Sequence, residues 1–568
     1  MPTGPLPPLA IPATLQDALM ARLDRLAVVK DVAQLSAVLG REFAYALLRA
    51  VAPLDEATVQ QALAQLVEAE LLYQRGMPPQ ATYVFKHALI QDTAYQALLK
   101  GTRQQYHQRI AQVLEQQFPE TVAMQPELLA QHYTEAGLAE QAVGYWYKAG
   151  QRAHERSAHV EAIGHLRKGL AIFTTLPDTL EHHQQELNVQ VTLGRVLMAT
   201  KGVGAPDTGA AYHRARELCQ KVGETPQVFP VLGGLVIFYI NRGEPQTARE
   251  LGAQMLSLAQ RVRDPAALAN AHILLGNTLY FLRAWDVART HLEQGIAFYN
   301  AQQPRTQGFL TETHQGVFGL IRLAQVLWSL GYPDQALERS REALTLAREL
   351  AHPASVASAL LFAAEVHMYR REGQSTYEQA EAAFELAREH GFAFRVAQAT
   401  ILRGWTLVEQ GQGETGIAQM RQGLAAFRAT GAELARSYYP ALLAEAHGRM
   451  GQREEGLQVV AEALARSDSS GGGEVELYRL KGELLLTLSA EHHTEAERCF
   501  RQALEIARHQ QAKSLELRAA MSLSRLWQRQ SKRAEARELL APIHDWFTEG
   551  FDTPDLQEAK ALLETLAG

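Results

Sequence analysis

Twenty histidines and 62 carboxylates give this chain the side chains from which metal sites and acid–base centres are built. Their spacing decides whether any such centre forms. HERSAH (154–159) resembles a zinc-protease string, but its two histidines are five residues apart. On a continuous helix that is a rotation of about 140°, so His154 and His159 are expected to point apart and to share no metal ion. His182–His183 and His492–His493 sit in polar, charge-rich stretches and read as solvated turn or helix-face residues. Cys219 and Cys499 are too distant for a zinc site or a disulfide framework, and their scarcity suits a reducing cytosol. The pair Glu454–Glu455 falls in a surface turn, where solvated charge is the simplest reading. A phosphate-binding loop needs G-x-x-x-x-G-K-[ST], whose backbone amides cradle phosphate while Lys reaches it. That string is missing, and GVGAPDTG (202–209) reads as a connecting loop. SDSSGGGE (467–474) reads as a flexible loop. Separated Ser, His and Asp residues give no catalytic geometry from spacing alone. No catalytic, metal or cofactor residue is therefore assigned, and the chain is expected to bind rather than to catalyse.

Bulk properties point the same way. With 568 residues the chain is several ordinary domains long or one extended repeat array. Lys and Arg number 55 against 62 Asp and Glu, a mildly acidic, mixed balance that argues against a nucleic-acid-coating surface. MPTGPLPPLAIP lacks the charged start and apolar run of a signal peptide, and no stretch is apolar enough to span a bilayer. A cytoplasmic protein is the expectation.

The elements that would carry a binding surface emerge from a repeat. Small residues recur early in the second helix of successive helix pairs, at Ala248, Ala288, Ala336, Ala380, Gly416, Gly456, Ala496 and Ala536, with spacings of 40, 48, 44, 36, 40, 40 and 40. A small partner sits about twelve residues earlier, as in Gly276 with Ala288 and Gly404 with Gly416. An earlier copy runs through Trp146, Gly150, Ala162 and Gly169. A lone helical hairpin cannot bury its apolar face, whereas stacked neighbours share a continuous core. Gly331, Gly411 and Gly451 mark turns. Near the end, Thr553 is placed to cap a helix beginning at Pro554, with Leu556, Ala559, Leu563 and Leu566 on its apolar side.

The first 120 residues differ. A helix is expected from Thr14 through Leu26, followed by helices near 30–39, 43–51 and 55–69. Apolar-aromatic runs at 71–73 and 82–85 flank a Gly/Pro turn and form the one clear β-hairpin signal. Three helices with a hairpin describe a winged helix. Residues 1–118 carry ten basic and ten acidic side chains, and TVQQALAQLVEAEL, in the recognition-helix position, has no Lys or Arg. Since phosphate neutralisation dominates DNA affinity, an interdomain packing role is favoured over DNA contact.

The small-residue pattern and hairpin length over about residues 140–550 resemble tetratricopeptide (TPR) repeats, in a variant with longer helices. The resulting fold class is mainly α: an α-solenoid of TPR-like hairpins with a period of about 40, preceded by a small winged-helix-like domain with one β-hairpin. The expected division is a Pro-rich linker (1–12), a winged-helix-like module (13–120), a solenoid (121–550) and a C-terminal capping helix (551–568). IPATLQDALMARLDRL, VLGREF and YVFKHALIQDTAYQALL, with ELYRLKGELLL near the end, resemble the region after the ATPase core of bacterial STAND/AAA-type signalling ATPases, including multidomain adenylate/guanylate cyclase–ATPase–TPR proteins. The family's phosphate loop and cyclase carboxylates match no position here. Within KHALIQD, His87 reads as a packing residue or, alternatively, as a switch or nucleotide contact.

TPR-like arrays bind through the concave face lined by first helices. The resemblance places Asn270, Asn277, Tyr280, Arg322, Gln325, Trp328, Gln398, Trp405 and Tyr438 toward that groove. Aromatics, amides and one Arg suit a protein, peptide or small inducer; Trp328 and Trp405 equally suit interhelical gaps. The functional expectation is a regulatory or scaffold module, the sensor half of a signalling ATPase or nucleotide cyclase. Alternatives are a transcriptional regulator using the winged helix and a truncated cyclase subunit.

Overall fold

A computed structural model describes residues 27–156, 158–223, 225–301, 313–430, 438–466 and 474–567. The expected linker, the helix from Thr14 to Leu26 and most of SDSSGGGE lie outside these residues. The chain divides into two compact units, Met1–Val189 and Gln190–Gly568. Among the described residues no helix is long and apolar enough to cross a membrane.

The first unit opens with α1 (Ala27–Leu39), β1 (Glu42–Ala44), α2 (Tyr45–Val51), α3 (Glu56–Glu68), β2 (Leu72–Arg75) and β3 (Thr82–Phe85). The expected hairpin is present, and it gains a third antiparallel strand because Glu42–Ala44 is extended rather than helical, giving the order β1-β3-β2. Phe43 stacks on Tyr83 with ring centres 5.9 Å apart, which ties β1 to the hairpin. Asp55 caps α3, accepting from the Thr58 amide at 3.0 Å. His87 is exposed rather than packed: its extended backbone leads into α4 (Ala88–Gln96), and its side chain makes no cap bond.

Helices α5 (Lys100–Gln117), α6 (Pro119–Met124), α7 (Pro126–Ala136), α8 (Ala139–Glu155) and α9 (His159–Phe173) follow. Ile110, Leu129, Tyr133 and Trp146 share one core with the sheet, so this compact unit runs well past residue 120. His154 and His159 do not lie on one helix. The helix ends at Glu155, and the two Nδ1 atoms come within 3.3 Å. The expected separation of about 140° holds only along an unbroken helix, and here the helix stops between the two residues. Even so, among the described residues no group of three metal-binding side chains forms. His182 is buried, its Nδ1 2.8 Å from the Pro177 carbonyl, because the turn before α10 (Leu180–Lys201) folds over it.

The second unit is built of paired helices. After α11 (Pro206–Val222) come α12–α13 (Val228–Asn241, Pro245–Val262), α14–α15 (Pro265–Phe281, Trp285–Asn300), α16–α17 (Gln315–Leu330, Pro333–Glu349) and α18–α19 (Pro353–Tyr369, Gly373–Glu389). Then follow α20–α21 (Ala393–Glu409, Gly413–Ala429), α22–α23 (Tyr438–Arg449, Arg453–Arg466), α24–α25 (Glu474–Leu488, His493–His509), α26–α27 (Lys513–Arg529, Arg533–His544) and α28 (Pro554–Ala567). This is the TPR-like hairpin array that the repeat implied. Ala248, Ala288, Ala336, Ala380, Ala496 and Ala536 are fully buried in second helices, and Gly416 and Gly456 are buried there too.

Left-handed corner residues reset the register. They occur at Gly243, Arg283, Gly331, Arg371, Gly411, Gly451 and Ser531, five residues before the buried small residue in most pairs. By that rule Thr376, fully buried, occupies the equivalent position in α19, and Ala380 lies one helical turn beyond it. The irregular spacings of 44 and 36 thereby become 40 and 40, leaving 48 as the one real insertion. Thr553 stands in the cap position of α28, its carbonyl accepting from the Gln557 amide at 3.1 Å, while its hydroxyl donates back to the Gly550 carbonyl at 2.6 Å.

Two helix backbones touch directly between α20 and α21. A Cβ on Gly404 would lie 2.6 Å from the Gly416 carbonyl oxygen, and one on Gly416 would lie 2.4 Å from that of Gly404. Alanine has the better helix propensity by about 1 kcal/mol, but here the obstacle is backbone and overpacking prevails. Gly416→Ala is expected to destabilise the second unit by about 1–3 kcal/mol, measured as a lower denaturant midpoint.

In the first unit, His107 and His132 are buried with their Nδ1 atoms 2.8 Å apart, and the Tyr95 hydroxyl is 3.0 Å from the His107 Nε2. One Nδ1 must donate and the other accept, so the two rings cannot both be protonated, and burial favours the neutral form of each. Burial holds His107 near about 4 and His132 near about 3. Both lie below the unfolded value, so the unfolded chain takes up protons first. Stability is complete above about pH 7 and falls as pH drops from about 6.5 toward 4. The first unit is expected to unfold at a lower denaturant midpoint at about pH 4 than at about pH 7, measurable by denaturation at stepped pH, and His132→Phe should flatten the profile.

Candidate functional site

The nine expected groove residues all lie on first helices. Asn270, Asn277 and Tyr280 are on α14, Arg322, Gln325 and Trp328 on α16, Gln398 and Trp405 on α20, and Tyr438 on α22. Three of them meet in one buried hydrogen-bonded chain, completed by residues that sequence reasoning missed. Arg322 Nη1 donates to Gln325 Oε1 at 2.6 Å, and Gln325 Nε2 donates to Glu365 Oε2 at 2.6 Å. From the other side Arg395 Nη1 donates to Gln398 Oε1 at 2.8 Å, Gln398 Nε2 to the Tyr439 hydroxyl at 3.0 Å, and that hydroxyl to Glu365 Oε1 at 3.5 Å. Two guanidinium groups are thus relayed through two amides onto a single carboxylate. Glu365, Gln325, Gln398 and Tyr439 are each no more than 3% exposed.

Aromatic rings frame this chain. The guanidinium carbon of Arg322 lies 5.0 Å from the ring centres of Tyr280 and Phe362 and 5.2 Å from those of Phe281 and Phe318. Such contacts replace part of the hydration lost on burial. Trp328 stacks on Tyr369 at 4.4 Å, Tyr369 meets Tyr438 edge-on at 6.0 Å, and Tyr438 leans on Tyr439 at 5.1 Å. The ladder spans α16, α18 and α22 and ends against the polar chain. Burial pushes the Glu365 carboxyl up to about 7, against the pull of Arg322 and the Gln325 hydrogen bond. Burial likewise lowers the Arg322 guanidinium from its ordinary value.

The remaining expected residues stand apart. Trp405 is 4% exposed, packs in the core and donates through Nε1 to Glu445 at 3.3 Å, so it fills an interhelical gap. Asn277 is buried, and its Oδ1, like that of Asn270, has no hydrogen-bond partner among the described residues. The missed residues had a readable signal. Glu365 is the lone charge besides His367 in PASVASALLFAAEVHMY, and a solitary acid in an apolar helix demands a partner. Gln325, Glu365, Trp405 and Glu445 are spaced by 40, so each occupies the same position on successive first helices. Hydrogen bonds link Gln325 to Glu365 and Trp405 to Glu445.

An open cleft of about 450 Å³ near α26 and α27 is lined by Trp527, Leu539 and Pro542. Its Arg508 and Lys513 both serve Glu516 at 2.9 and 2.7 Å, and Glu535 and Glu538 add two further carboxylates to its lining.

No family model matches the chain. A relative in Rhizobium meliloti (strain 1021), described as an uncharacterized protein, is 26% identical over 523 residues, covering 90% of this chain and 50% of the relative. The chain thus spans about half the length of the relative it matches. Among solved structures, a Rap protein complexed with competence and sporulation factor is 14% identical, covers 66% of this chain and 98% of its own, and has a TM-score of 0.45. The APC/C hetero-tetramer Cut9–Hcn1 is 10% identical, with coverages of 82% and 90% and a TM-score of 0.45. A STAND protein with a tetratricopeptide repeat sensor from Pyrococcus horikoshii is 8% identical, with coverages of 95% and 64% and a TM-score of 0.35.

Removing Glu365 strands Arg322 in its ring cage. Glu365→Ala is expected to destabilise the second unit by about 3–5 kcal/mol, and Glu365→Gln by less, since its amide oxygen still accepts from Gln325. A carboxyl raised in the fold is protonated more readily there than in the unfolded chain. Its contribution is therefore favourable below about pH 4.5 and is lost as pH rises through about 7. Denaturation midpoints across that window should fall for the wild type and stay flatter for Glu365→Gln.

Proposed function

We propose that the protein is a non-catalytic interaction module whose inner face, formed by the first helices α14 to α22, binds a peptide segment or a small polar ligand. The observation that carries this reading is the Arg322–Gln325–Glu365–Tyr439–Gln398–Arg395 chain. Four successive first helices contribute to it, and it concentrates charge, amides and aromatic rings on one side of the array. A self-contained apolar core would be at least as stable as these buried charges. Only Gln325 and Glu365 share an equivalent position; the two guanidinium groups and the Tyr439 hydroxyl converge on that pair from other positions, which is the clustering expected of a recognition surface. Half-buried Tyr280, Arg395 and Tyr438 form its accessible margin.

A wider signalling context has support from the resemblance of VLGREF and YVFKHALIQDTAYQALL to the segment following a STAND-type ATPase core. In that setting α1 to β3, with the helix and strand order of a winged helix, would dock on a neighbouring domain. Ligand would act by favouring one of two packing states, which requires different affinities for them. The DNA-binding alternative gains nothing from the surface of α3. Its exposed residues are Glu56, Ala57, Gln60, Gln61, Ala64 and Glu68, with no cation among them.

The test is selection of a random peptide display library on the full chain, followed by affinity measurement of the enriched peptides. Binding should weaken at least tenfold in Arg395→Ala and in Tyr280→Ala, both at the half-buried margin, in variants whose denaturant midpoints show that they remain folded. Enriched peptides that bind both variants as tightly as the wild type, or no enrichment at all, would overturn the reading.

A further inference from the structure

The second unit closes on itself across a seam far apart in sequence. Glu549 accepts from the Asp334 and Gln335 amides at 2.9 and 3.0 Å and so caps the start of α17 from more than 200 residues away. Asp334 in return accepts from the Gly550 amide at 2.8 Å. Arg370 reaches Asp552 at 3.3 Å, and Arg371 reaches Asp555 at 3.3 Å and Glu558 at 2.6 Å. A Cβ on Gly550 would lie 2.1 Å from Pro333, so the two surfaces are in tight contact.

The seam combines aromatic packing, with the Tyr332 and Trp546 ring centres 5.6 Å apart, and a set of ion pairs. Its ion pairs are largely wet: Asp552 is 72% exposed, and Arg371 and Glu558 are 37% and 39% exposed. Exposed pairs contribute little and are screened by salt. Parting the surfaces also leaves no charge stranded. Arg370, 3% exposed, keeps Asp334 at 2.8 Å and Glu372 at 2.7 Å on its own side. Arg518 keeps Asp555 at 2.7 Å on the other.

The same seam touches the inner face. Ser514 donates to the Trp328 carbonyl at 2.6 Å, Arg518 donates to the Tyr369 carbonyl at 2.7 Å, and the Arg518 guanidinium lies 5.1 Å from the Trp328 ring centre. Trp328 and Tyr369 are the first two rungs of the aromatic ladder. We propose that the seam is a reversible latch coupled through Arg518 to that ladder, so that occupancy of the inner face and release of residues 545–558 are thermodynamically linked. The coupling rests on the inner face being the binding surface; the latch itself does not. Linkage is reciprocal: whatever parts the ladder loosens the latch, and loosening the latch eases entry.

Hydrogen exchange of the full chain, read by mass spectrometry without any ligand, tests this. In Arg371→Ala/Asp552→Ala, amides in residues 545–558 and 331–336 should exchange at least tenfold faster together, while those of α20 and α21 keep the wild-type rate. Raising sodium chloride from 0.05 to 0.5 M should produce the same regional change in the wild type. Unchanged exchange at the seam, or acceleration spread through the whole unit, would overturn the latch. Tyr438→Ala, which removes the third rung at a distance from the seam, should accelerate residues 545–558 several-fold, whereas Trp405→Phe should not. A seam that responds to the charge variants but not to Tyr438→Ala overturns the coupling alone. The peptide-selection result stands separately from all of these outcomes.

Discussion

Everything in the second unit depends on how closely two helices of a hairpin can approach. At Gly404 and Gly416 the backbones leave no room for a methyl group, and elsewhere the second helix brings nothing larger than alanine or threonine to the crossing. Close crossing sets the angle of each pair, and a constant angle lets the next pair stack in the same way. The buried small residue is therefore a geometric constraint rather than an apolar contribution. Its recurrence every 40 residues propagates one local geometry through the array.

That periodicity also builds chemistry. Because equivalent positions on neighbouring first helices are adjacent in space, a polar residue at one position finds its partner one repeat later. Gln325 with Glu365 and Trp405 with Glu445 are such pairs. Gln398 and Tyr439, 41 residues apart, are nearly so. A buried charge needs a partner held in place by the fold, and a repeat supplies one at a fixed interval. The chain from Arg322 to Arg395 is the result. Its cation ends and carboxylate middle are placed by the same register that places the alanines.

Much of the fold was legible because it follows from period and residue size. The hairpin β2–β3 was announced by its turn and flanking aromatics, and the second helices by their small residues. Strand β1 was not, since Glu42–Ala44 is extended only because β3 offers it a pairing edge, which is a tertiary fact. The marker in α19 was misplaced by one turn because threonine there serves as well as alanine, and only the corner at Arg371 fixes the register. His154 and His159 came together because a helix ended between them, a break that no Gly or Pro signals in HERSAH. In the site, helix membership was readable for all nine residues. The centre of the network was missed because it is an acid on an apolar helix, and a search for exposed groove residues passes over it.

The seam between Glu549 and the start of α17 has a consequence for how this array comes apart. An open stack of repeats couples only nearest neighbours, so its ends fray one hairpin at a time. A contact joining α16–α18 to α26–α28 turns the intervening helices into a loop that must be opened before its last member can peel away. The C-terminal hairpins then melt together with those near residue 330 instead of ahead of them. Cooperativity in this half of the chain thus depends on the circuit staying closed, and conditions that part the seam return it to end-wise fraying.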